Sequence, residues 1–136
     1  MALTEQQLRT PTTEAIQTQG HISRGWSLSL LGSWIATLVL AHILEPAPTG
    51  SEPVWAHVVS IGMLAAVIAT FHGLARRTSW AASASVMTSL GFVVGVFLCP
   101  ATGHHAFGLW WIGQFAAALG LVSLSTVAAV RHWRTR

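Results

Sequence analysis

Residues 54–77 read VWAHVVSIGMLAAVIATFHGLARR, and this stretch decides the fold. Residues 54–75 carry no Asp, Glu, Lys or Arg, and two arginines then follow at once. A helix of roughly 20 apolar residues is what it takes to cross a hydrocarbon core ~30 Å thick. A lone strand would leave backbone groups unpaired in lipid, and barrel strands are shorter and alternate. The stretch is therefore a transmembrane helix, and Arg76-Arg77 marks one of its ends.

Working outward, the same pattern recurs on both sides. Apolar runs cover about 26–44, 54–75, 79–99 and 106–130. Residues 45–53, with Pro46, Pro48, Gly50 and Pro53, break the first run from the second, because proline removes a donor and clashes with a preceding helical turn. Pro100 and Gly103 do the same after the third run, and Arg76-Arg77-Thr78 is a very tight connection. The expected fold class is all-α, an integral membrane four-helix bundle. Residues 1–23, rich in Thr and Gln, read as a flexible cytoplasmic tail, with Thr4 and Gln7 in capping-box spacing; residues 24–136 read as the four-span domain. The tail has no apolar core, so it does not read as a signal peptide.

Charge sets the expected topology. Arg24, Arg76, Arg77, Arg131, Arg134 and Arg136 flank one side, whereas Glu45 and Glu52 lie on the other with no basic residue. The positive-inside rule then puts both termini in the cytoplasm and both hairpin loops outside. Trp26, Trp80 and Trp133 fall near the inner boundary and Trp55 near the outer, as suits an apolar ring with one donor. Trp34, Trp110 and Trp111 fall deeper and are expected to pack between helices.

Composition agrees. Only 8% of the residues are charged, against roughly a quarter in soluble domains. Net charge is +3, yet no basic face exists outside the membrane flanks, which excludes a nucleic-acid partner. One cysteine excludes an intrachain disulfide. Arginine as the sole basic residue, beside abundant Ala and Gly, points to a GC-rich bacterial genome and hence to the bacterial plasma (inner) membrane.

The outer edge gathers the groups that could carry chemistry. His42 lies about one turn inside the end of the first span, and His57 about one turn inside the start of the second. Glu45 follows His42 by three residues, on the same helical face if the helix persists. Cys99, His104 and His105 come to the same level from the second outer loop. Imidazole, thiolate and carboxylate suit copper, zinc or iron. His42, His57, Cys99, His104, His105 and Glu45 are thus the candidate metal ligands, and His42 with His57 the candidate clamp for haem b. Each histidine taken alone is more often an interfacial side chain reaching water or headgroups than a ligand, and it is their number on one edge that points to a site.

His57 and His72 stand fifteen residues apart, which leaves them about 60° apart around a helix axis and ~22 Å apart along it. This spacing resembles the paired haem ligands on one helix of the di-haem cytochrome b family; no other span offers a matching pair. Gln114, inside the fourth span, is expected to face the bundle and bind a neighbouring helix.

The third span carries Ala81, Ala84, Thr88, Gly91 and Gly95 at alternating gaps of three and four. Such a stripe lets helices approach closely, either within the chain or against another subunit or a second copy. Equal spacing from Trp26 to Pro46 and from Trp80 to Pro100 fits either a parallel internal repeat or the recurrence of short loops and tryptophan belts. No charged residue lies mid-span, and no phosphate loop or nucleophile motif occurs. The leading expectation is an accessory or assembly subunit of a redox or metal-handling membrane system, with the outer His/Cys/Glu edge as its site. The alternatives are a non-catalytic packing subunit of a larger complex, and a small transporter or lipid or quinone enzyme.

Overall fold

The computed structural model describes residues 20–48, 50–51, 53–103 and 105–134. These form four helices and no strand: α1 Arg24–Leu44, α2 Val54–Ala75, α3 Ala81–Ala101 and α4 Leu109–Arg134. All four are long and apolar enough to cross a membrane. They run up and down in sequence, each packs on the next, and α4 returns against α1 to close the bundle. Leu64, Ile68, Val58 and Ile61 of α2 lie on the outer surface, where lipid rather than water suits them. The protein is a multi-pass membrane protein.

Local chemistry explains the helix ends. Ser23 caps α1, its hydroxyl accepting from the Trp26 amide at 3.4 Å. At the end of α2 the Arg77 amide donates to Leu74 O and the Thr78 amide to Gly73 O, at 3.1 and 2.9 Å. That pair of bonds is a Schellman motif, which requires a left-handed residue, and Arg77 takes it at φ 55°. The expected end of the third span at Cys99 is overrun: α3 continues through Pro100 to Ala101. Proline leaves the carbonyl four residues earlier without its helical donor. Here that carbonyl, Val96 O, accepts instead from the Trp111 indole N–H of α4 at 3.0 Å.

The bundle is unevenly packed. The contiguous core of Leu30, Trp34, Leu74, Ala81, Ala82, Leu121, Ala128 and Ala129 fills the arginine-bearing half. Residues 1–19, most of the expected tail, lie outside the described residues. Of the remainder, Ile22 is buried in that core, and its carbonyl accepts from Arg77 Nε at 3.0 Å. Arg131 sits over the Trp26 ring at 5.5 Å.

Hydroxyls tie the helices together inside this half. Trp34 Nε1 donates to Ser85 Oγ at 2.9 Å, and Ser85 meets Ser125 Oγ at 2.8 Å, linking α1, α3 and α4. Thr70 and Thr88 pair at 2.9 Å between α2 and α3, and Ser27 Oγ donates to Leu74 O between α1 and α2. In lipid such bonds act where no hydrophobic force draws helices together.

Candidate functional site: a cavity in the half of the bundle opposite the arginines

α2 is the least buried of the four helices, and its buried residues, Thr70, Gly73 and Leu74, all lie at its arginine-bearing end. Toward the other end it leaves space against α3 and α1. The small-residue stripe of α3 borders that space. Thr88 bonds Thr70, and a Cβ on Gly91 would stand 3.4 Å from Met63 Sδ, so the stripe faces α2 of its own chain. At Gly95 a Cβ would meet nothing within 4 Å, so the contact expected there opens into a void.

The void measures about 770 Å³, within the ~300–1,000 Å³ common for ligand pockets. Its walls come mainly from α1, α2 and α3, and Gln114 reaches it from α4. From Thr88 to Cys99 it follows twelve residues of α3, about 16 Å of helix. Most of its lining is apolar, with Met63, Phe92 and Met87 prominent; His42, Glu45, Ser60, Cys99 and Gln114 are polar groups toward its far end. A smaller void of about 90 Å³ adjoins it, sharing Val59, Ser60, Gly95, Leu98 and Cys99 and extending to Trp55 and Thr102.

Several expected ligands come together and others do not. His42 and Glu45, one helical turn apart at the end of α1, line the cavity with the half-buried Cys99 of α3. His105 is buried beneath the rim, its Nε2 3.6 Å from Glu45 Oε1 and its ring edge-on to Trp110 at 5.7 Å. His57 is exposed, its Nδ1 3.5 Å from Pro53 O, and does not line the cavity. His72, also exposed, sits near the opposite end of α2. His104 and Glu52 lie outside the described residues. Among the described residues no three His, Cys, Asp or Glu groups are placed to hold a metal ion together.

The two loops at this end touch. A Cβ on Gly50 would stand 3.2 Å from Gly103 O, and Glu45 faces His105 across the same junction. Gln114 acts as expected of an amide in a span: its Nε2 donates at 2.9 Å to Ala41 O, one of the last four carbonyls of α1. Trp34 and Trp111 pack between helices, whereas Trp110 turns its indole back to Ala106 O at 2.8 Å. Sequence reasoning missed the methionines of the cavity wall and the bonded hydroxyls of the core. Ser85 and Ser125 are polar residues within apolar runs, and that is the one signal the sequence offers for them.

Fold and cavity define a class: a multi-pass helical bundle with a pocket at membrane depth. No protein-family model matches the chain, and neither a curated protein nor a solved structure does.

Proposed function

We propose that this chain is an accessory subunit of a redox or metal-handling membrane system that holds one small cofactor or lipid-soluble molecule in the cavity between α1, α2 and α3. The observation that carries this reading is the convergence of His42, Glu45, Cys99 and Gln114, from three helices, on a single largely apolar chamber. A few placed polar groups in an apolar cleft is the usual form of a small-molecule site. Binding rather than conversion is favoured because no Asp, Glu, Lys or Arg lies mid-span to drive a reaction. Were the occupant a metal or haem iron, His42, Glu45 and Cys99 would be the donor groups on the lining, but no three described groups are placed to hold an ion together, which favours an organic occupant. The arginine-bearing end is taken as cytoplasmic in a bacterial plasma membrane, which places the cavity mouth in the outer leaflet.

The test is to purify the protein in mild detergent and measure three things on one sample: an absorbance spectrum for haem, elemental analysis for copper, zinc and iron, and mass spectrometry of an organic extract. One species at a stoichiometric level is expected, and Gly95→Leu, which fills the void, should lose it. A sample with no such species would overturn the reading and leave a packing subunit.

A further inference from the structure

We infer that the occupant is an uncharged lipid of the quinone–quinol class, with its ring at the rim and its apolar tail along α3. The inference rests on the cavity reading above and narrows it by charge, access and shape.

Charge comes first. Glu45 is the carboxylate on the cavity lining, and no arginine reaches it: the described arginines all sit at the opposite end of the bundle. An anionic head, whether a lipid phosphate or the propionates of haem, would meet that half-exposed carboxylate without a cationic partner, and like charges repel. The titratable groups around Glu45 are His42 at the end of α1 and Cys99 of α3, which share its cavity, and His105 from the α3–α4 loop. Imidazole can donate to a quinone carbonyl, and carboxylate can accept from a quinol hydroxyl. Both redox forms of one neutral head are therefore served by the pair His42 and Glu45.

Access is from the side. Met87 is 69% exposed and Val94 56% exposed, yet both line the cavity, as does Val59 of α2. Its mouth thus opens onto the lipid-facing surface, and a ligand dissolved in the membrane reaches it without crossing water. Shape agrees: the chamber is long, and at Gly95, where a Cβ would meet nothing within 4 Å, its floor has no side chain to obstruct a chain laid along α3.

The experiment uses the full chain in nanodiscs of phosphatidylcholine, with a decyl-benzoquinone as probe and quenching of tryptophan fluorescence as readout. The expected result is a saturable component, abolished by Gly95→Leu and weakened about three- to tenfold by His42→Ala, the worth of one hydrogen bond. Should Gly95→Leu fail to fold, Gly62→Leu replaces it; Gly62 also lines the void with nothing within 4 Å of a Cβ. Parallel titrations use haem and phosphatidylglycerol. If either of these binds and is lost in the filled variant while the quinone is not bound, the quinone assignment falls and the cavity reading stands. If saturable quenching survives the filled variants, the quinone sits elsewhere and the assignment falls. If no probe binds and no species co-purifies, both readings fall together.

Discussion

Arg77 holds a left-handed backbone that glycine would hold without strain, and its side chain explains why an arginine is found there. The guanidinium bonds Ile22 O and so fastens the segment before α1 beneath the bundle. Two variants separate the terms. Arg77→Ala keeps the left-handed strain and loses the bond; Arg77→Gly loses the bond and the strain together. The glycine variant should be the more stable by about 1 kcal/mol, the usual penalty for a Cβ in that region. Thermal unfolding in detergent reads the order, and a glycine variant that melts below the alanine variant would show that strain is no part of this turn. A few residues earlier, Gly73 leaves no room for a side chain: a Cβ would lie 2.7 Å from two carbons of the Trp80 ring. A rigid ring cannot yield as a flexible chain would, so Gly73→Ala should cost about 1–3 kcal/mol by overpacking. Gly95→Ala, facing empty space in the interior of α3, should instead raise stability by about 0.5–1 kcal/mol, because alanine loses less backbone entropy on entering a helix.

Among the helices, α3 and α4 depend on one another at Pro100. Trp111→Phe keeps the ring that stacks on Phe115 and meets Phe97 edge-on, but removes the donor to Val96 O. Leaving that carbonyl without its donor should cost about 1–3 kcal/mol. Replacing Pro100 by Ala supplies a backbone amide in its place. Trp111→Phe should therefore cost far less in a Pro100→Ala background, and a double-mutant cycle of unfolding midpoints measures the difference. Equal costs in both backgrounds would show that the indole does not substitute for the missing amide. The same residue shows where sequence reading succeeded and stopped. Span existence, number and order were legible because each span is a long apolar run closed by Pro, Gly or Arg. In the sequence Pro100 reads as a stop, since a partner that excuses a proline sits eleven residues away on another helix and leaves no local trace. The stripe on α3 was legible as a face, but its meaning was not. Spacing reports which residues share a face; it does not say whether the facing helix is near, as at Gly91, or has leaned away, as at Gly95.

At the scale of the whole molecule, one end is fastened and the other is open. The core, the hydroxyl bonds between helices and the Arg77 clasp crowd the arginine-bearing half, whereas the cavity occupies the other. The convergence of His42, Glu45 and Cys99 was foreseeable from their shared depth, but the exclusion of His57 from that chamber was not. Its exclusion depends on how α2 is turned and tilted, which short loops leave undetermined. Cys99 lies where the two voids meet, and this makes it a reporter for orientation and occupancy together. With the arginines inside, a membrane-impermeant maleimide should label Cys99 in intact cells, and Cys99→Ser should abolish labelling. Labelling only after the membrane is permeabilised, with the denatured protein labelling fully, would reverse the topology. In nanodiscs the decyl-benzoquinone should slow labelling at concentrations that saturate tryptophan quenching, because probe and reagent compete for one space. A rate independent of the quinone would separate Cys99 from the bound ring and move the head group away from the rim formed by His42 and Glu45.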